Sequence, residues 1–363
     1  SNKWFCYSSV NLGSPVDGTG WNNSTTNNAT AQTPLYWVGR SGPPYNWNNS
    51  LNWASSSGGT GPASPTPLPN YGTRLIFDNN AINKEVSINV NAECADMTIT
   101  NFSGGSFTFT GSAASLNVNG SLTETTTSTL STLTNTSSQY VKIIASGALD
   151  YISPSSGSNL SLNFQTECTG AGEVHLTNNL VTTGYLKILG GTFGTGPLSS
   201  FYNLTCKYLK ANVSKTITEL NSSTITITGY DSADNICLDL RQSSLTTSST
   251  NIINITDTTN NAINFYGNGL NYPAVQFKRG NSTGDINIYS AGSTFTLFKD
   301  SYPDCTNAHS IYWDPAGGDN NATYTFGTGS GKGFIVDGAS AAGKITLNSI
   351  GGTYKYNFVS LGS

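Results

Sequence analysis

The chain has 363 residues, a formal net charge of −4 and 10% charged residues, against about 25% in a typical soluble protein. Its 16 Lys and Arg residues are too few and too scattered for the clustered cationic surface that nucleic acid requires, so we expect no nucleic-acid partner. No apolar run reaches the roughly 20 residues of a membrane span, and no segment shows an i, i+3, i+4, i+7 apolar pattern. We therefore expect an all-β protein with almost no helix and a surface of neutral hydroxyl and amide side chains.

Residues 1–35 begin with an aromatic segment, WFCYSSV, and continue into a long polar segment. The chain starts with SNKWF and not with Met, so we interpret it as a mature form whose leader has been removed. The aromatic segment predicts one strand. This strand either caps the first turn of the fold or is donated to a neighbouring subunit, and we prefer the cap. If it is donated, its assembly residues are Trp4, Phe5 and Tyr7.

Residues 36–78 contain tryptophans spaced around a glycine, then a loop rich in Gly, Ser and Pro, then a short strand ending in Phe-Asp. The residues that carry this pattern are Trp37, Val38, Gly39, Trp47, Asn52, Trp53, Phe77 and Asp78. The segment resembles the N-terminal W-V-G-x-x-G-x-W…N-x-W module of secreted β-helix repeat proteins of bacteria and phages, although residues 42–45 are inserted before Trp47. The resemblance implies an exported β-helix of the adhesin or fibre type and carries over no catalytic residue.

The aromatic residues of this module allow two interpretations. Flat rings could stack on the apolar faces of sugars and form a glycan-binding platform, or they could plug the open end of a solenoid. We prefer the plug, because the resembling module stands at the start of a solenoid. The residues concerned are Tyr36, Trp37, Tyr45, Trp47 and Trp53.

From residue 79 to residue 363, short alternations of apolar and polar residues recur between turn residues. The pattern is clearest in residues 172–206, where the alternating pairs are Val174 and Leu176, Leu186 and Ile188, and Leu204 and Cys206. A period of two indicates half-buried β-strands. We predict an elongated parallel β-helix, or β-solenoid, over residues 79–363, preceded by a strand and a Trp-rich capping module over residues 1–78. The pattern ends without a cap, so either the native chain continues or something covers that end; in the second case the assembly residues are Tyr356 and Phe358.

The six cysteines stand far apart, with no C-x-x-C pair, and the chain has only two histidines. This spacing does not fit a zinc site, and we expect neither a metal nor a cofactor. We expect disulfides formed in an oxidising, extracellular compartment in preference to free buried thiols, with the pairing left open. The candidates are Cys6, Cys94, Cys168, Cys206, Cys237 and Cys305.

Candidate catalytic groups are few. His175 alternates with apolar neighbours and is predicted to face solvent, and His309 is predicted to lie in a loop; neither has partners at the spacing of a catalytic triad. Three aspartate pairs could act as paired carboxylates or calcium ligands, but loops rich in Asn, Ser and Gly favour Asx-turns instead. These pairs are Asp231 with Asp234, Asp300 with Asp304, and Asp314 with Asp319.

The sequence therefore predicts an exported, non-enzymatic structural or adhesive protein, a subunit of an extracellular filament or surface fibre that associates with itself. The first alternative is a glycan-binding module on a cell surface or a phage fibre. The second alternative is a polysaccharide lyase or hydrolase, because enzymes can be built on a β-helix.

Overall fold

The computed structural model describes most of the chain from residue 34 onward. The described ranges are 34–59, 68–100, 107–111, 115–125, 133–135, 139–147, 149–157, 159–197, 200–211, 216–248, 250–267, 269–290, 292–301, 303–313, 323–328, 332–338, 344–349 and 357–360. In these ranges the chain is built of short β-strands with one 3-10 turn, Ser50–Asn52, and it has no helix long and apolar enough to cross a membrane.

The strands follow one another at short intervals along the chain. The first sixteen are β1 (Leu35–Trp37), β2 (Trp53–Ala54), β3 (Leu75–Asp78), β4 (Glu85–Ser87), β5 (Ala92–Cys94), β6 (Met97–Thr100), β7 (Phe107–Thr110), β8 (Ser115–Val118), β9 (Leu122–Glu124), β10 (Leu133–Asn135), β11 (Tyr140–Ser146), β12 (Leu149–Ser153), β13 (Asn163–Thr169), β14 (Glu173–Leu176), β15 (Leu180–Val181) and β16 (Leu186–Gly194). The next sixteen are β17 (Leu204–Cys206), β18 (Leu209–Lys210), β19 (Thr216–Asn221), β20 (Thr224–Ile227), β21 (Ile236–Asp239), β22 (Ser243–Thr247), β23 (Ile252–Ile255), β24 (Ile263–Tyr266), β25 (Asn271–Phe277), β26 (Ile286–Tyr289), β27 (Thr294–Ser301), β28 (His309–Trp313), β29 (Thr323–Phe326), β30 (Gly333–Asp337), β31 (Ile345–Ser349) and β32 (Asn357–Ser360).

One face of the molecule, which we call face one, is a continuous parallel ladder. It runs in the order β5, β8, β11, β13, β16, β18, β21, β24, β26, β28 and β31. Successive strands of this ladder lie one turn of the chain apart, and the turns differ in length: the turn from Leu209 to its partner Leu238 is longer than the turn from Phe164 to its partner Leu186. The fold is therefore a parallel β-solenoid, as the alternation in the sequence predicts.

Two further sets of strands complete each turn. Face two runs in the order β1, β3, β6, β9, β12, β14, β16, β19 and β22. The third set forms two parallel sheets, β4–β7–β10 and then β15, β17, β20, β23, β25 and β27, which β29, β30 and β32 extend. Because β3 already pairs with β6, the ladder of face two begins within residues 1–78.

The interior consists of columns of apolar side chains that stack in register from turn to turn. On face one, such a column contains Ala92, Leu116, Val141, Phe164, Leu186, Leu209, Leu238, Phe265, Ile288 and Trp313. Every member is at most 1% exposed. Burying each large side chain contributes about 1.5–3 kcal/mol, so these columns supply the main favourable free energy of folding.

A single strand, β16, shows how the chain turns from one face to the next. Its first part pairs with β13 and β18 on face one, and its last part pairs with β14 and β19 on face two. Gly191 stands at the bend with a φ of +66°, a backbone conformation that glycine adopts without steric cost. A Cβ atom at this position would lie 2.2 Å from Cβ of Cys168, so the corner requires glycine for space as well as for conformation.

Candidate functional site

The tryptophans of the N-terminal module are packed inside the first turns. Each of the three is at most 2% exposed: Trp37, Trp47 and Trp53. The ring of Trp53 makes edge-to-face contacts with the other two, with ring centroids 5.0 Å apart for Trp37 and 4.9 Å apart for Trp47. The indole Nε1 of Trp53 donates a hydrogen bond to the carbonyl of Trp47 at 2.8 Å. Phe77 completes the group, 6.2 Å from Trp53.

This packing corrects the interpretation of the same aromatic residues as a sugar-stacking platform. Stacking on a sugar requires an exposed ring face, and the three indoles have none. Tyr36 and Tyr45 are half-buried, so only they offer solvent-exposed ring surface. Trp37 of β1 and Trp53 of β2 are register partners in the antiparallel pair β1–β2, and Trp47 packs against Trp53.

The predicted assembly residues fall mostly outside the described ranges. Trp4, Phe5, Tyr7 and Tyr356 lie there, as does Cys6. Phe358 belongs to β32, where its backbone is in register with Tyr324 of β29.

An apolar surface that the sequence analysis did not single out lies on the last described strand of face one. Leu347 of β31 continues an interior column through Ile286 and Ile311, both of which are fully buried. Leu347 itself is 43% exposed. Phe334 of β30, in register with the buried Phe298, is likewise only partly buried. These apolar side chains are therefore in contact with solvent.

The prediction of disulfides is wrong for the five described cysteines. Cys94, Cys168, Cys206, Cys237 and Cys305 are all free and buried. The register explains this, because it places an apolar residue and not a second cysteine opposite the thiol: Val118 opposite Cys94, Ala145 opposite Cys168, and Ile227 opposite Cys206. Cysteine acts here as a small interior side chain.

Burial also makes these thiols unreactive. Desolvation raises the pKa of Cys168 to about 11 and that of Cys206 to about 12, so the thiolate is scarce near neutral pH. Cys237 also has its pKa raised by burial to about 12, and the thiol donates to the carbonyl of Asn264 at 3.2 Å. A nucleophilic cysteine is therefore not formed at any of these sites.

Both histidines lie in environments that the sequence analysis did not predict. His175 is only 6% exposed, although it was expected to face solvent; Nδ1 lies 2.9 Å from the carbonyl oxygen of Gly196, and Nε2 lies 3.0 Å from Oε2 of Glu173. His309, expected in a loop, is the first residue of β28 and is buried.

His309 forms a buried ion pair with Asp300. Its Nε2 lies 2.7 Å from Oδ2 of Asp300, and its Nδ1 lies 3.0 Å from the carbonyl oxygen of Asn307. Both ring nitrogens therefore face acceptors, which suits the doubly protonated imidazolium. Burial alone lowers the pKa of His309, but the hydrogen bond and the charge of Asp300 outweigh it and raise the pKa above 6.5.

This pair predicts a dependence of stability on pH. A raised pKa in the folded state contributes stability that is complete below the unfolded value of 6.5 and is lost as the pH rises through the folded pKa. We expect the free energy of unfolding of the wild type to decline as the pH rises from the unfolded value of 6.5 through the folded pKa, and to decline less in His309→Gln. Urea unfolding at several pH values measures both slopes, and identical slopes would contradict the assignment.

The aspartate pairs mainly serve structural hydrogen bonds. Asp300 pairs with His309, and Asp304 lies 3.3 Å from Nζ of Lys299. Asp231 and Asp234 accept hydrogen bonds from backbone N–H groups two residues further on, as expected for Asx-turns. Asp314 and Asp319 lie outside the described ranges. Within the ranges that the structure covers, no group of three His, Cys, Asp or Glu side chains is arranged to hold a metal ion.

Among the described residues, one lysine on face one pairs with two aspartates, and we call this group the Lys210 cluster (Tyr208, Lys210, Asp231 and Asp234). Nζ of Lys210 donates to Oδ2 of Asp231 at 2.7 Å and to both carboxylate oxygens of Asp234, at 3.1 and 3.0 Å. The Lys210 side chain is only 9% exposed. Burial alone raises the pKa of Asp231, but the hydrogen bond from Lys210 outweighs it and lowers the pKa. The sequence did not predict this cluster, because it depends on the register of β18 and β21.

Stacked tyrosines continue along face one beside this cluster. Tyr185 and Tyr208 stack at 5.0 Å with the Lys187 ammonium 4.6 Å from the ring of Tyr185. Tyr266 and Tyr289 stack at 4.4 Å, and the guanidinium of Arg241 lies 4.0 Å from the ring of Tyr266. The ring faces are thus largely covered by one another and by cations, which stabilises neighbouring turns through stacking and cation–π interactions.

The comparisons with known proteins add no further assignment: a scan of protein-family models, a search of curated proteins and a search of solved structures each found no match to the chain.

Proposed function

We propose that the chain is an exported, non-enzymatic structural or adhesive β-solenoid that associates end to end into an extracellular filament or surface fibre. The observation that carries the proposal is the half-exposed Leu347, an interior column position that remains in contact with solvent on β31. Stacked turns are held by contacts with their nearest neighbours, so a further turn supplied by a second copy can cover this column. Contact between unlike ends is heterologous, and it produces an open filament when the rotation between copies does not close a ring.

The composition and the edge of the sheet support the same proposal. With 10% charged residues, the chain has few like charges to oppose close contact between copies. Among the described strands, β31 pairs only with β28, and the proposal assigns a strand from another copy to its second edge. The buried thiols no longer argue for an oxidising compartment, so export rests on the neutral polar surface and on the resemblance of the N-terminal module.

A substitution at the exposed column position tests the assembly. We expect the wild type to form larger species as its concentration rises, and Leu347→Glu to remain monomeric because a carboxylate at the contact would be desolvated without a partner. Sedimentation velocity over a range of concentrations measures the distribution, and circular dichroism verifies the fold.

Leu149 provides a matched control, because its exposed fraction of 42% is close to the 43% of Leu347. It lies on β12, in the middle of the ladder of face two. Leu149→Glu should assemble as the wild type does. A wild type that is monomeric at every concentration would contradict the assembly and favour the glycan-binding alternative. Assembly of Leu347→Glu at wild-type concentrations would exclude the contact at β31.

A further inference from the structure

The Lys210 cluster has a geometry that an ordinary surface ion pair does not have. Two carboxylates converge on one amine, and both the amine and the nearer carboxylate are largely removed from water, with side-chain exposures of 9% for Lys210 and 18% for Asp231. The acids belong to the loop before β21, within the long turn that separates Leu209 from its partner Leu238. The loop therefore places its acids over Lys210.

Each atom of the Asp231 carboxyl group has a defined partner. Oδ2 accepts from Nζ of Lys210 at 2.7 Å, and Oδ1 accepts from the backbone N–H of Ala233 at 3.2 Å. Burial and the charge of the nearby Asp231 raise the pKa of the Tyr208 phenol, and Tyr208 is 5% exposed. A backbone N–H such as that of Ala233 is a donor of the kind that stabilises negative charge developing on a carbonyl oxygen.

We infer that Lys210 and Asp231 condense to an intramolecular isopeptide bond. Nζ of Lys210 attacks Cγ of Asp231, so that an N–C bond forms, a C–O bond breaks and the oxygen leaves as water. The ammonium supplies both hydrogens of that water and keeps one on the amide, so atoms and charge balance without an oxidant or a co-reactant. Asp234, whose two oxygens contact Nζ, takes a proton from the ammonium and returns it to the leaving oxygen.

Proximity favours this reaction at Lys210. The ground state is an ion pair, and transfer of one proton within it gives the neutral amine and carboxylic acid that react. Fixed contact of the reactants corresponds to an effective molarity on the order of 10⁵ M or more, which favours attack once that proton has moved. The ring of Tyr208, its centroid 5.5 Å from Nζ, lies beside the amine. The bond would fix the loop to β18 independently of any assembly of the chain.

Other ion pairs of the described residues lack one of these features. Lys142 contacts Glu167 at 2.8 Å, but it has one carboxylate as partner, and that carboxylate is 42% exposed. Lys299 contacts Asp304 at 3.3 Å with both side chains more than a quarter exposed. The pair Lys142–Glu167 therefore serves as the control for the experiment.

Mass spectrometry of the denatured full chain tests the inference. We expect an intact mass lower than the sequence mass by one water, and a proteolytic digest that contains a branched peptide joining Lys210 to Asp231. Lys210→Arg and Asp231→Ala should each have the full mass of their sequence, and Asp234→Ala should retain a larger unlinked fraction than the wild type. The control variant Lys142→Arg should have an intact mass one water below the mass of its own sequence, as the wild type has.

Three results would overturn the inference. The first is a wild-type chain at its full sequence mass, and the second is a mass loss without a branched peptide. The third is a branch at Asp234, which would exchange the roles of the two acids. The wild-type mass and the branched peptide decide the question even if Lys210→Arg fails to fold.

Discussion

Replacing Arg279 with methionine is expected to lower the free energy of unfolding by about 3–5 kcal/mol, because it removes one partner of a buried ion pair. Arg279 is 1% exposed, and its Nη2 lies 3.2 Å from Oδ2 of Asp257, which is 2% exposed. The same guanidinium donates to the carbonyls of Thr259 at 3.1 Å and of Asn261 at 2.8 Å, and it also contacts the carbonyl of Gly284. Methionine keeps the apolar volume but leaves a carboxylate and several carbonyls without their donor.

The measurement is urea unfolding followed by far-ultraviolet circular dichroism. Arg74→Met is the control, because Arg74 is half-exposed and lies 3.9 Å from Asp96, and a surface pair of this kind contributes under about 1 kcal/mol. The double variant Arg279→Met with Asp257→Leu should recover part of the loss, since it removes both charges together. An Arg279→Met variant as stable as Arg74→Met would contradict the stabilising role of the buried ion pair between Arg279 and Asp257.

The second large effect is expected at the tryptophan group. Trp53→Ala should lower the free energy of unfolding by about 3–5 kcal/mol, because it empties a space that the neighbouring turns cannot close. Trp53→Phe should lower the free energy of unfolding by less, since phenylalanine keeps an aromatic ring at this position. It still loses the hydrogen bond to Trp47, which contributes about 1 kcal/mol.

Thermal unfolding monitored by circular dichroism compares these variants. Tyr71→Ala is the control, because Tyr71 is 58% exposed and its removal should change stability by less than about 0.5 kcal/mol. A folded Trp53→Ala with wild-type stability and weakened binding to polysaccharide would contradict the packing role of Trp53 and support the glycan-binding alternative.

The strands of residues 172–206 were predictable because their alternation depends only on local sequence. Val174 and Leu176 lie in β14, the pair Leu186 and Ile188 lies in β16, and the pair Leu204 and Cys206 lies in β17; all six side chains are buried. The period of two thus identified both the strands and the side that faces the interior. The all-β solenoid fold was predictable from this pattern.

His175 shows where alternation is insufficient. It lies between the two interior residues of β14, and the alternation therefore predicted a solvent-exposed side chain. It is buried because the next turn offers Gly194 opposite it, where a Cβ atom would lie 2.6 Å from the imidazole, and Gly196, whose carbonyl contacts the ring. A glycine one turn away decides the exposure of the histidine, and the sequence does not state which residues stand one turn apart.

The same missing information explains the cysteines and the Lys210 cluster. The turns of face one differ in length, so the neighbour of a given residue in the next turn cannot be counted off in the sequence. Lys210 of face one meets Asp231 because the intervening turn is long. In the third set of strands, the register likewise places Ile227 and not a second cysteine opposite Cys206. Pairings between turns require the register, which only the folded chain provides.

Electron microscopy of the purified native material in dilute buffer tests whether this solenoid assembles end to end. End-to-end assembly predicts regular filaments whose axial repeat is close to the length of one subunit, and which shorten or disappear in Leu347→Glu. Isolated rods of one subunit length at every concentration would contradict it.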